Sequence, residues 1–280
     1  MNECIHFAHA NGFPAGSYRQ VFNALPANIQ IIAKDKFVHD TAYPLVDNWL
    51  HQVTELTDYV QANSEQPVVA VGHSFGAVIS YLACCQRPDL FKGLIMLDPP
   101  LFTGAAEPLF RLLKKTKWID RLTPAGITMG RKSRWRSEQN LVDYFASKGL
   151  FKDMDRRCIH DYVESATENT AEWRSLHFDV PTEAQVFRTI PTNLSNYTGQ
   201  LTTPAVLLTG AHTKVCMPLM RRAFLRANPQ IQYQTLDFGG HMFPLEQPER
   251  TAQVIDHWLR KLLVTNTTPR SDTLKPRALS

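Results

Sequence analysis

Several functional signatures are missing from this chain of 280 residues. No stretch approaches the ~20 consecutive apolar residues that a membrane-spanning helix requires, so stable membrane insertion is not expected. Met1-Asn2-Glu3-Cys4 lacks a basic segment followed by an apolar one, so no secretory signal is expected. Cysteine is scarce and odd in number, at five, and no Cys-x-x-Cys pair occurs. Cys84 and Cys85 are adjacent, while Cys4, Cys158 and Cys216 are far apart, which excludes a regular zinc or redox motif. Free thiols in a reducing cytoplasm are the plain expectation. The formal charge of +4 is too small to argue for nucleic acid. No internal repeat is evident. What remains is ordinary globular material, 44% hydrophobic and 20% charged, sized for one large domain or a domain with an insertion.

One stretch carries more information than the rest. Val68-Val69-Ala70-Val71 is a continuous apolar run without polar alternation, the pattern of a parallel strand covered on both faces. It breaks into Gly72-His73-Ser74-Phe75-Gly76, and the residues from Ala77 to Cys84 carry apolar side chains at helical spacing. Gly-x-Ser-x-Gly alone is a common accident. Between a buried strand and a helix it predicts a nucleophile elbow, with Ser74 at the apex of a strained turn and glycines where strand and helix pass closest. The positive end of the helix favours an anion beside that serine.

Around this stretch the chain alternates strands with helices. Short strands are expected at Ile5 to Ala10, near Gln30 to Lys34, at the elbow and at Leu94 to Leu97, with an amphipathic helix over Leu45 to Val60. Only four residues precede the first strand, so the sheet is expected to have about six strands, mostly or wholly parallel, without an opening antiparallel hairpin. From residue 101 to 201 no buried strand is evident, and helix-like segments at Pro108 to Leu122, Glu138 to Phe151 and Arg156 to Thr167 predict a mostly helical cap. The sheet resumes at Ala205 to Gly210 and ends with Ile231 to Phe238, which runs into Gly239-Gly240-His241. A last helix covers Pro248 to Leu263. The expected organisation is a core of 1–100 and 202–264, a cap of 101–201 and a disordered polar tail of 265–280.

Three features taken together, the elbow, the Asn11-Gly12-Phe13-Pro14 turn and Gly239-Gly240-His241, make the chain resemble the α/β-hydrolases across about residues 5 to 263. Each falls at the carboxyl end of a different expected strand, where such sheets bind ligands. The resemblance implies an α/β fold and nucleophilic acyl transfer without cofactor or metal. Ser74 would be the nucleophile and His241 the base that deprotonates it and then protonates the leaving group. Backbone N–H groups of Phe75 and Phe13 would hold the oxyanion; removing one such donor typically costs about 3 kcal/mol of transition-state stabilisation. Asn11 stands where many relatives carry histidine, so the bonding of that turn is expected to differ.

The acid of the triad departs from the common pattern. Relatives place an Asp after the strand that here ends at Leu208, but this chain reads Gly210-Ala211-His212-Thr213. Other members take the acid from the strand after the elbow helix, where Asp98 precedes two prolines. Asp98 is therefore the expected acid, in the order Ser74, Asp98, His241; its plain alternative is a turn cap. Of the remaining histidines, His73 is expected to support the elbow, and His9 and His39 to line the pocket floor. Between Arg111 and Arg136 nine Lys or Arg face one acid, Asp120. Such a run is commonly a solvated helix face, and otherwise attracts an anionic substrate or an acidic membrane surface. Trp118, Trp135, Phe145, Phe151, Trp173 and Phe178 either hold the cap to the sheet or line an apolar acyl pocket. The expected partner is a small acyl substrate, an ester or thioester. A carbon–carbon bond hydrolase or perhydrolase would use the same triad, and a non-catalytic ligand-binding protein would keep the fold alone.

Overall fold

The computed structural model describes residues 3–267. Strands and helices alternate through the first part: β1 (Glu3–Ala8), α1 (Arg19–Ala24), β2 (Ile29–Ile32), α2 (Leu50–Asn63), β3 (Val68–His73), α3 (Phe75–Gln86) and β4 (Phe91–Leu97). A connecting segment then holds α4 (Ala106–Leu113), α5 (Ile119–Leu122), α6 (Ala125–Met129), β5 (Arg134–Arg136), α7 (Leu141–Ala146), α8 (Arg156–Ala166), β6 (Thr167–Asn169), β7 (Trp173–Leu176) and α9 (Val180–Arg188). The chain closes with β8 (Ala205–Thr209), α10 (Pro218–Ala227), β9 (Ile231–Thr235), α11 (Phe243–Glu246) and α12 (Pro248–Thr267).

Six strands form one sheet in the order β2-β1-β3-β4-β8-β9, and every pairing in it is parallel. Among the described residues no antiparallel strand joins it. The order reverses beside β1 and β3, so the elbow opens at a switch point of the sheet, where crevices form at the strands' carboxyl ends. Both faces are apolar because strand side chains alternate. Ile95 and Leu97 pack with Val69, Val71, Ile255 and Leu259 on one face; Leu94 and Met96 pack with Ala70, Val53, Leu56 and Phe224 on the other. This double burial is why β3 and β4 read as unbroken hydrophobic runs.

One expectation is refined and one needs correction. The segment between β4 and β8 is mostly helical and has no fully buried strand, but three short strands, β5, β7 and β6, form an antiparallel sheet in it. Each strand is three or four residues long, too short for a period-two signal, and in Arg134-Trp135-Arg136 the apolar residue alone turns inward. The last helix passes the expected end at Leu263, so residues 265–267 of the expected tail belong to α12. The rest of that tail, 268–280, lies outside the described residues. Among the described residues no helix is long and apolar enough to cross a membrane.

The core holds imidazoles that burial keeps neutral. His6, on β1, is fully buried against the rings of Phe37 and Tyr59, and neither ring nitrogen has a partner. Burial, with a smaller push from His9, lowers its pKa to about 3, and burial lowers that of His9 to about 4. Unfolded histidine titrates near 6.5, so below that pH the unfolded chain binds protons that the native chain refuses. Native stability is thus complete above about 6.5 and falls with acid until the folded values are passed, by about 1.4 kcal/mol per pH unit for each such histidine. Urea unfolding between pH 7.5 and 5 is expected to show this decline. His6→Phe should lessen the slope by one histidine's share, and an unchanged slope would refute the account.

Candidate active site

The ends of β3, β4 and β8 are stitched together by backbone bonds. The Ser74 N–H donates to the Leu97 carbonyl (2.9 Å), and the Asp98 N–H to the Leu208 carbonyl (2.8 Å). At the elbow Ser74 has φ 54° and ψ −116°, a conformation costing about 1–3 kcal/mol for a non-glycine residue. Two glycines make it possible. A Cβ on Gly72 would lie 2.3 Å from the Gly76 carbonyl oxygen, and one on Gly76 only 2.0 Å from that of Ala8. The cross-over is closed by contact between backbones, and no side chain fits there.

Asp98 follows β4 in a left-handed conformation (φ 46°) and is fully buried. His241 enters on the loop after β9. That loop is pinned by the Gly240 N–H donating to Glu246 Oε2 (2.8 Å) and the His212 N–H donating to the Gly239 carbonyl (3.0 Å). These placements bring three distant residues into line. His241 Nδ1 lies 2.6 Å from Asp98 Oδ2, and His241 Nε2 lies 3.1 Å from Ser74 Oγ. A carboxylate oxygen accepts, so the Nδ1 side carries the proton and Nε2 is left to accept from the serine hydroxyl.

Thr213, in the slot where an Asp is common, donates its hydroxyl to the same Asp98 oxygen (2.6 Å). Its own Oγ1 accepts from the Val215 N–H (3.1 Å). Thr213 thus supplies a donor to the carboxylate that stands elsewhere, a role the residue type alone did not disclose.

His73 braces the loops from behind. Its Nε2 bonds the His241 carbonyl (2.9 Å), which can only accept, so Nδ1 is the unprotonated nitrogen and receives the Tyr18 hydroxyl (2.7 Å). Tyr18 Oη in turn accepts from the Ala10 N–H (3.2 Å). Burial, reinforced by the neighbouring His241, holds the His73 pKa well below the usual imidazole range, so this tautomer persists at neutral pH. Tyr18 carried no sequence signal, since its role exists only once the β1 and β3 loops meet.

The two expected oxyanion donors fare differently. Phe75 opens α3, where an N–H has no intrahelical acceptor, and its amide has no protein partner among the described residues. The Phe13 N–H, by contrast, donates to the Ala10 carbonyl (3.0 Å) and closes the turn over Gly12 (φ 75°). The left-handed glycine folds the loop back on itself, and the Phe13 amide is engaged in that turn. Asn11 does differ in its bonding, because Nδ2 reaches across to the Glu183 carbonyl (2.9 Å). His9 is buried, with Nδ1 on the Ala10 carbonyl (2.8 Å) and Nε2 accepting from the Phe37 N–H (3.0 Å). His39 bonds the Phe37 carbonyl and the Asp179 N–H. Both are loop braces.

Over the Gly12 turn sits a trio in which Glu183 and Tyr162 are buried and Arg131 partly so. Arg131 Nη1 lies 2.7 Å from both oxygens of Glu183, and Nη2 donates to the Tyr162 hydroxyl. Burial pushes the Glu183 carboxyl up while Arg131 pulls it down. Beside the trio Phe13 packs on Phe151 and Tyr162, with Phe145 behind them. Of the aromatics expected to hold this segment, Trp135, Phe145, Phe151 and Phe178 are buried, whereas Trp118 is 58% exposed.

Residues 7–254 match the Alpha/beta hydrolase family. The chain belongs to that family. This α/β hydrolase is 24% identical over 226 residues to the Abhydrolase domain-containing protein AFT2-1 of Alternaria alternata, covering 70% of this chain and 84% of the relative. It is 26% identical over 152 residues to the monoglyceride lipase of Rattus norvegicus, half of each chain. Among solved structures, E-2-(acetamidomethylene)succinate hydrolase superposes with a TM-score of 0.76 at 17% identity, over 92% of this chain and 91% of the other. The family supports a hydrolase.

Proposed function

We propose that this hydrolase cleaves a carboxylic ester or thioester of a small-molecule acyl substrate through an acyl-enzyme on Ser74. The observation that carries this reading is the unbroken run of hydrogen bonds from Thr213 through Asp98 and His241 to Ser74. As Ser74 Oγ attacks the carbonyl carbon, His241 Nε2 takes its proton, and Asp98 holds the resulting imidazolium by Nδ1. Negative charge on the carbonyl oxygen is met by the Phe75 N–H at the positive end of α3. Phe13 joins as a second donor only by sharing the bond it gives to Ala10. His241 then protonates the leaving group, and in the second half it draws a proton from water, which attacks the acyl carbon and frees Ser74. The segment between β4 and β8 acts as the cap, closing the acyl site with Phe13, Phe151 and Tyr162. Five free cysteines favour a reducing, cytoplasmic setting.

A fluorophosphonate probe tests the reading directly, because only an activated serine reacts with it quickly. Rapid labelling of the folded chain, abolished in Ser74→Ala, is the expected result. Folded protein that takes no label would leave the ligand-binding alternative.

A further inference from the structure

The stretch from Glu107 to Met129, running through α4, α5 and α6, arranges its side chains in an order inverted for an ordinary surface. Three of its charged groups, Glu107, Lys114 and Asp120, are spent on the protein. Glu107, 4% exposed, accepts from the Ser195 hydroxyl (2.6 Å) and N–H (3.1 Å). Lys114 donates to the Ile190 carbonyl (2.8 Å) and pairs with Asp47. Asp120 binds both the Nε and Nη2 of Arg188. Ile119 turns inward, but six large apolar groups point to solvent: Leu109 (55% exposed), Leu112 (65%), Trp118 (58%), Leu122 (51%), Ile127 (84%) and Met129 (45%). Eleven large apolar side chains of the described residues are exposed, and six of them fall here, so the apolar surface is concentrated and not scattered.

Cations are interleaved with them. Lys115, Lys117 and Arg121 are exposed and form no ion pair among the described residues, and the Arg121 guanidinium lies 5.1 Å from the centre of the Trp118 ring. Asp120, the one acid between Leu109 and Lys132, is already neutralised by Arg188.

We propose that this face docks on an anionic lipid surface. Exposed Trp, Leu, Ile and Met tips enter the headgroup boundary, and flanking Lys and Arg are drawn to acidic headgroups; the two contributions add. A second copy of the chain fits less well, because isologous pairing would set the same cations against each other. The face leads to Arg131, which grips Glu183 where Glu183 abuts the Gly12 turn. Docking therefore presents the proposed acyl site to the bilayer, and an ester lodged in the membrane interface is the substrate class that fits. That last step rests on the function proposed above; the docking does not.

Sedimentation of the full chain with large vesicles, of phosphatidylcholine alone or mixed with phosphatidylserine, decides the matter. The chain is expected to pellet with the mixed vesicles, to pellet far less with phosphatidylcholine, and to be released by salt. Lys117→Gln and Arg121→Gln should each weaken binding about fivefold, and Leu112→Ser with Ile127→Ser should abolish it while leaving the melting curve unchanged. Ser74→Ala should pellet like the native chain, which separates failure of docking from failure of catalysis. A chain that stays in the supernatant with both vesicles overturns the proposal, as does pelleting indifferent to these variants. If the apolar substitutions change only the mass in gel filtration, the face joins copies of the chain and the lipid reading falls.

Discussion

Ser74→Ala is expected to lower kcat on an accepted ester by about a millionfold, and His241→Ala by about as much. In the proposed mechanism the two act as one device: without the imidazole the hydroxyl keeps its proton at neutral pH, and without the hydroxyl the imidazole has nothing to activate. Removing either member of such a pair in a serine hydrolase costs about 10⁶ in kcat, and removing both costs little more. The double variant should therefore match the worse single variant, where independent contributions would multiply. KM should change little, because the 3.1 Å bond from Ser74 to His241 lies within the protein and binds no substrate. Residual turnover should remain about 10³–10⁴ above the uncatalysed rate, reflecting the oxyanion site and substrate positioning alone. A Ser74→Ala enzyme that retains even a hundredth of native kcat would show that another nucleophile does the work.

Local signals made the centre of this site readable, and tertiary contacts hid the rest. Val68 to Gly76 announced the elbow because a doubly buried strand, a strained turn and a helix each leave a separate mark on one short stretch. Asp98 was legible from its place at a strand end before two prolines. What the Phe13 amide bonds was not legible, since that depends on how the Gly12 turn closes, and here it closes on Ala10. Tyr18 and Thr213 were hidden for a related reason: their bonds join loops far apart in sequence. Trp118 misled in the opposite sense. Large aromatics are usually buried, but this one is 58% exposed, with the Arg121 guanidinium over its ring.

Asp98, the proposed acid, gives the second large effect. Asp98→Asn is expected to lower kcat about 10⁴-fold with the fold and KM largely kept. An amide at residue 98 can turn its NH₂ toward His241, which makes Nδ1 the acceptor and moves the imidazole proton to Nε2, where it blocks the serine. Thr213→Val should cost far less, about tenfold in kcat, because it removes one donor from the carboxylate while the bond to His241 survives. The informative variant joins the two positions. Thr213 Oγ1 and His241 Nδ1 meet on the same Asp98 oxygen, each at 2.6 Å, so a carboxylate at residue 213 stands two hydrogen bonds from the imidazole. Asp98→Asn/Thr213→Asp is therefore expected to recover about ten- to a hundredfold over Asp98→Asn, a coupling that independent sites would not show. Thr213→Asp alone should be impaired, since two carboxylates crowded together cannot both ionise and one would hold a proton needed nowhere. Near-native turnover in Asp98→Asn would remove this residue from the mechanism. Loss without any rescue in the double variant would mean that the imidazole is oriented from the β4 end alone.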